Sequence, residues 1–182
     1  MARVREFFDG NGEPNQWYLF EHKNQVYPQA WGAEFIIYFL VKTFGISLPA
    51  FQAASDFVFP ALIYFLFFIL FYRVTKLKVY SLTAPFILCG GVFGLLNKPV
   101  HPQISLPILL GFLIVWHSLL TKDLNHARRW AAAVAAGMLL GAMFLTYFFS
   151  WGFAVVSLGL AFLIFIAFKN VQQIKNHILI VV

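Results

Sequence analysis

The stretch Asp56-Phe-Val-Phe-Pro-Ala-Leu-Ile-Tyr-Phe-Leu-Phe-Phe-Ile-Leu-Phe-Tyr-Arg73-Val-Thr-Lys76-Leu-Lys78 decides the fold of this chain. No residue between Asp56 and Arg73 is charged, and phenylalanine recurs throughout. A soluble helix of this length keeps one polar face, because only one side of it packs on a core. This one is apolar all round, so its solvent is hydrocarbon. Arg73, Lys76 and Lys78 follow at once. A basic cluster at the end of an apolar run marks the cytoplasmic side of a membrane span.

The alternation continues to Phe168. Spans are predicted at 56–72, 80–96, 104–120, 130–149 and 151–168. The first connection carries Arg73, Lys76 and Lys78, and the second, Asn97 to Gln103, carries Lys98 alone. Lys122, Arg128 and Arg129 lie in the third, the Ser150-Trp151-Gly152 turn is uncharged, and Lys169 and Lys175 follow the last span. Bases thus gather on alternate connections, which puts those connections in the cytoplasm and residues 1–55 outside. Tyr72, Tyr80, Trp116 and Trp130 mark the inner interface, and Tyr147 and Trp151 the outer one. The expected fold is all-α: a polytopic transmembrane helical bundle of about five spans (56–168), with 169–182 as a cytoplasmic tail.

Composition excludes the main alternatives. Of 182 residues 61% are hydrophobic and 11% charged, with a mean hydropathy of +0.78, more apolar surface than a soluble domain of this size could bury. The sequence pI near 9.6 does not imply nucleic acid, because no basic run with interleaved aromatics projects from a soluble face. Its source is the cytoplasmic anchoring charge. Six acids, Glu6, Asp9, Glu13, Glu21, Glu34 and Asp56, precede residue 57, and only Asp123 follows. Cys89 is single and sits in an apolar run, so it offers neither a disulfide nor a metal site.

Residues 1–32 are polar and aromatic, with turn signals at Asp9-Gly10-Asn11-Gly12 and prolines at 14 and 28, and they hold no signal-peptide pattern. From 33 to 48 runs a short apolar stretch in which Glu34, Tyr38 and Lys42 share one helical stripe. Sixteen residues reach only about 24 Å, short of the roughly 30 Å hydrocarbon core, so this segment is predicted to be an amphipathic helix lying in the interface. An outside segment of this length without a signal implies a further span before Met1. The apolar run His177-Ile-Leu-Ile-Val-Val reads as the opening turns of another span, so the chain is expected to be truncated at both ends.

Small residues recur at helical spacing. Gly90 with Gly94, and Gly137 with Gly141 after Ala133, form faces that let helix backbones associate closely in lipid. Pro60, Pro85 and Pro107 read as residues near span starts, where a missing N–H costs little. Ser55-Asp56 reads as the N-cap of the first span, and His117 beside Trp116 as an interfacial anchor.

Two clusters can carry chemistry. Trp17-Tyr18-Leu19-Phe20-Glu21-His22-Lys23, followed by Tyr27-Pro28-Gln29, brings an acid, an imidazole and a cation together among aromatics. A carboxylate can serve as general base, imidazole as base or donor, and lysine as a counter-charge for phosphate. The bland alternative is a solvated loop with its rings at the headgroups. Asn97-Lys98-Pro99-Val100-His101-Pro102-Gln103 is stiffened by two prolines, which would hold Lys98, His101 and Gln103 in place. No metal signature, phosphate-binding glycine loop or midplane charge is present, which leaves metal, nucleotide and ion-pathway readings without support.

Four features together resemble the GT-C superfamily of polytopic membrane glycosyltransferases, which includes protein mannosyltransferases and aminoarabinose transferases. They are the aromatic, acidic segment with Phe20-Glu21-His22-Lys23 and Tyr27-Pro28-Gln29, the interfacial helix from Glu34, the stiff His101-Pro102-Gln103 connection, and the Ala/Gly-rich helix entering Phe144-Leu145-Thr146-Tyr147-Phe148. The resemblance is to bacterial members and implies an inner (plasma) membrane location. It also implies transfer of a sugar from a polyprenyl-phosphate donor, with membrane lipids as the other partner and no nucleic acid. An acid early in the first outer loop would act as base, and cations would steady the phosphate leaving group. Here the expected acidic pair would fall before Met1, and Glu6 and Asp9 do not match it. The catalytic residues are therefore unassigned, with Glu21 and His22 the nearest candidates. Lys23, Tyr27, Gln29, Glu34, Lys98, His101 and Gln103 are the expected substrate contacts. No cofactor is implied, and a divalent-metal requirement is left open. The competing readings are a non-catalytic membrane scaffold or assembly partner, and a transporter.

Overall fold

The computed structural model of the chain describes residues 2–9, 31–96 and 101–168, and every regular element among them is helical. In chain order they are α1 (Ala2–Phe8), α2 (Gly32–Phe44), α3 (Leu48–Thr75), α4 (Lys78–Leu96), α5 (His101–Thr121), α6 (His126–Thr146) and α7 (Phe148–Ala167). The apolar stretches Leu48–Thr75, Gln103–Thr121, His126–Thr146 and Phe149–Ala167 are each long and apolar enough to cross a membrane. The protein is an all-α integral membrane protein. The 19-residue α4 takes up the span predicted at 80–96.

α3 departs most from expectation. It has 28 residues, about 42 Å at 1.5 Å each, against a hydrocarbon core of about 30 Å. Its start is fixed by Ser47, whose side chain accepts the Ala50 N–H at 3.4 Å, with Pro49 in the first turn, where it forfeits no helical bond. Asp56 is therefore not an N-cap but stands in the third turn, and Pro60 lies well inside the helix rather than near its start. Pro85 and Pro107 do fall within about two turns of the starts of α4 and α5. The stretch predicted at 33–48 ends earlier, at Phe44, because Gly45 takes a left-handed φ of 64° and closes α2.

The remaining boundaries shift for similar local reasons. Asn125 caps α6 by accepting the Arg128 N–H at 3.0 Å, so that helix begins at His126 and not at 130. It ends at Thr146, because the single extended residue Tyr147 closes α6 through its N–H to the Met143 carbonyl at 2.8 Å and opens α7. The turn expected at Ser150-Trp151-Gly152 is helical.

α5 is the central post. Its Phe112 and Leu119 pack with Ala136 and Met143 of α6 and Ala154 and Leu158 of α7. Its Leu110 meets Ile63 of α3, and its Ile104 joins the cluster made by Val4 of α1 and Ala33, Ile37 and Val41 of α2. Side-chain hydroxyls along the spans answer to backbone carbonyls one turn back: Thr75 to Phe71, Ser81 to Leu77, Ser118 to Ile114 and Thr146 to Ala142, all at 2.7–2.9 Å. Such back-bonding keeps a polar atom satisfied where no water is available.

The small residues of α6 differ in their surroundings within the chain. Gly141 has nothing within 4 Å of where a side chain would start, while Ala133 and Ala136 are the small residues of α6 that are buried. The surroundings of Gly90 and Gly94, and of Cys89, lie outside the described residues, as does the tail 169–182.

Candidate functional site

Charge divides the bundle into two poles. The α3–α4 turn, with Arg73, Lys76 and Lys78, and the α5–α6 turn, with Lys122, Arg128 and Arg129, form one of them. The α1–α2 pair forms the other. Gly32 abuts the Leu145 backbone at the end of α6, and Ile37 and Val41 share a cluster with Ile104 at the start of α5. Asp9, Glu34 and Asp56 belong to this second pole, and among the described acids only Asp123 belongs to the first.

The second pole gathers buried polar side chains. Glu34 is 2% exposed, Gln103 4%, Ser105 2% and Thr146 1%. Glu34 occupies the α2 face shared with Ala33, Ile37 and Val41, one turn from Ile37. It faces inward for a reason legible in the helix itself, since Phe35 and Phe39 take the opposite, exposed side. The stripe of Glu34, Tyr38 and Lys42 thus runs from buried to exposed. Lys42 Nζ donates to the Tyr38 hydroxyl at 2.9 Å and stands 5.3 Å from that ring's centre. Phe7 of α1 is stacked on the Tyr38 ring and edges onto Phe35, so α1 closes over this part of α2.

Gln103 Nε2 donates to Asp56 Oδ1 at 3.2 Å, joining α5 to α3 across 47 residues of sequence. A matching polar contact lies further along the same two helices. Arg73 Nη1 donates to the Ser118 hydroxyl and to the Ile114 carbonyl, the latter at 3.3 Å. Both contacts pair an early residue with an early one or a late residue with a late one, so α3 and α5 run parallel. At 1.5 Å per residue the contacts are roughly 25 Å apart, close to the thickness of the hydrocarbon core. The uncharged residues between Asp56 and Arg73 are thus long enough by themselves to cross a hydrocarbon core, and α3 continues for residues 48–55 before them.

Of the sequence-predicted site, the structure brings Glu34 and Gln103 to one pole. Glu21, His22, Lys23, Tyr27, Gln29 and Lys98 lie outside the described residues, as does the side chain of His101, which opens α5. Asp56 is the residue that sequence reasoning misplaced. Its signal was available: Ser47 and Pro49 are a better helix start than Ser55, and they put Asp56 inside a helix within reach of its neighbour. Thr146 was quoted only as part of an Ala/Gly-rich helix, and its complete burial was not foreseen.

Comparison with protein-family models, with curated proteins and with solved structures finds no match to this chain. Among the described residues no group of three His, Cys, Asp or Glu side chains is placed to hold a metal ion. The chemistry available at this pole is that of carboxylates, an amide and hydroxyls, with Lys42 as a nearby cation.

Proposed function

We propose that this chain is an integral membrane glycosyltransferase that takes a sugar from a polyprenyl-phosphate donor at the pole carrying Glu34, Asp56 and Gln103. That pole is extracytoplasmic, and the pole of arginines and lysines faces the cytoplasm of a bacterial inner membrane. The observation that carries the reading is the placement of two carboxylates on different helices, Glu34 on α2 and Asp56 on α3, at the same end of the bundle, away from the basic turns. A carboxylate there can accept the proton of an attacking hydroxyl or bind sugar hydroxyls, and the Gln103 amide fixes one of them in place. Exposed Lys42 stands at the same pole, where a phosphate leaving group needs a counter-charge.

The test is transfer of label from a panel of radiolabelled polyprenyl-phosphate sugars by the protein in vesicles. Turnover with one donor, lost in Glu34→Gln or Asp56→Asn while the protein stays folded, is the expected result. No transfer from any donor sinks the reading. A second reading, a non-catalytic scaffold, draws on the open surface of α6, where Val134, Met138 and Leu145 are exposed beside Gly141. It predicts that Gly141→Leu disperses an oligomer and that Glu34→Gln changes nothing.

A further inference from the structure

The basic pole holds more than scattered anchors. Arg73 is fixed by its Nη1 bonds to Ile114 and Ser118, and its Nε and Nη2 make no hydrogen bond among the described residues. Arg73 in the last turn of α3, Lys76 as its C-cap residue and Lys122 directly after α5 lie at this same end of the bundle. Lys76 is held in a left-handed conformation at φ 61°, with its N–H on the Tyr72 carbonyl at 3.0 Å, which turns the chain sharply into α4. Beside it an open groove of about 410 Å³ is lined by Leu77, Lys78, Val79, Tyr80 and Thr83. The groove is mainly apolar with a single cation on its wall. The side chains of Lys76, Lys78 and Lys122 form no ion pair or hydrogen bond among the described residues, and among the described acids only Asp123 lies at this pole.

We propose that this pole is a binding site for an anionic phospholipid, its phosphodiester held by Arg73, Lys76, Lys78 and Lys122 and an acyl chain laid in the groove of Leu77, Val79 and Tyr80. Charge complementarity selects the occupant. A cluster of unpaired cations at a membrane surface concentrates anionic headgroups, and a planar guanidinium already steadied by two bonds offers its remaining N–H groups to phosphate in a fixed direction. The apolar wall distinguishes a lipid from a free anion, which would gain nothing from Leu77 and Val79. The site is independent of the chemistry assigned to the opposite pole.

Tryptophan quenching by brominated lipid tests it. A Trp17→Phe, Trp31→Phe, Trp151→Phe background leaves Trp116 and Trp130, both at the basic pole, as reporters. Reconstituted in phosphatidylcholine vesicles, this protein should prefer brominated phosphatidylglycerol over brominated phosphatidylcholine by about fivefold or more. The triple variant Lys76→Gln, Lys78→Gln, Lys122→Gln should bring the two lipids to parity, and Lys42→Gln at the far pole should leave the preference intact. Equal quenching by the two lipids in the parent protein overturns the proposal, as does an undiminished preference in the triple variant. Equal loss with Lys42→Gln shows a diffuse charge effect and overturns it too. Inorganic phosphate at constant ionic strength should not displace the lipid; if it does, the site binds free phosphate instead. Helical content by circular dichroism confirms that each variant is folded. Should the triple variant fail to insert, Lys122→Gln alone, in a turn, gives the same reading at smaller amplitude.

Discussion

At the residue scale, polar side chains at the two ends of α3 and α5 do what apolar packing cannot do in lipid. Hydrocarbon solvates leucine as well as a neighbouring helix does, so register between spans comes from close packing and from directed bonds. Asp56 with Gln103 and Arg73 with Ser118 supply two such bonds, one at each end of a parallel helix pair. Gln103 is buried while Asp56 is exposed, so the amide is the partner that suffers if the bond is lost. Gln103→Leu should lower stability in detergent by about 1–3 kcal/mol, whereas Asp56→Asn, which keeps an acceptor oxygen, should cost less than half as much. Unfolding in a graded detergent series measures both, and equal losses would show that the pair is not coupled. Arg73→Lys should behave more like Arg73→Met than like the parent, with a loss of about 1–2 kcal/mol. A lysine has no fork with which to reach the Ile114 carbonyl and the Ser118 hydroxyl together. Full retention of stability in Arg73→Lys would mean that charge alone matters there.

At the element scale, the docking of α2 depends on one residue with no side chain. A Cβ on Gly32 would stand 2.5 Å from the Leu145 carbonyl oxygen, a backbone atom that cannot swing aside. Gly32→Ala should therefore push α2 from the end of α6 at a cost of about 1–3 kcal/mol, and it should speed amide exchange over α2 while sparing α5. Unchanged exchange along α2 would show that the contact is not tight. Gly45→Ala meets no neighbour and fails for a different reason, its φ of 64°, and should cost about 1 kcal/mol. The contrast explains how much of these elements was legible. Apolar length alone gives the existence of the spans, because charge is so costly in hydrocarbon that the runs stand out. Their ends depend on caps, and these compete: Ser47-Leu48-Pro49 won over Ser55-Asp56, and Tyr147 over the Ser150-Trp151-Gly152 turn. A helix can also outlast an uncharged run, so the edge at residue 56 is not the helix start. Of the site, Glu34 and Gln103 were legible as polar residues in apolar company. The bond from Gln103 to Asp56 was not, because its partners lie 47 residues apart and meet only when α3 and α5 stand parallel.

At the scale of the whole molecule, the two poles make a claim about compartments. In the proposed topology α3, α4 and α5 each cross the membrane, which separates the α1–α2 pair from the turn that carries Lys122 and Asp123. An odd number of crossings puts those two segments in different compartments whatever the absolute orientation. The proposed orientation follows from the distribution of charge, since moving six bases across a bilayer is opposed far more strongly than moving the acids of the other pole. In a Cys89→Ser background, single cysteines at Asp9 and Asp123 should react with a membrane-impermeant maleimide from opposite faces of sealed vesicles. Asp9→Cys is expected to label in right-side-out vesicles and Asp123→Cys only after inversion or permeabilisation. The depth of the bundle adds a second constraint, because Asp56 and Arg73 are roughly 25 Å apart along one helix and each meets a partner on α5 at its own end. A cysteine at Val74 should therefore share the compartment of Asp123→Cys, and a cysteine at Ala53, in the part of α3 before Asp56, the compartment of Asp9→Cys. If the Ala53 and Val74 sites label from the same face, α3 does not cross. The carboxylates of Glu34 and Asp56 would then share a compartment with the cations they are proposed to work apart from, and the division of labour between a reactive outer pole and a lipid-binding inner pole fails as a whole.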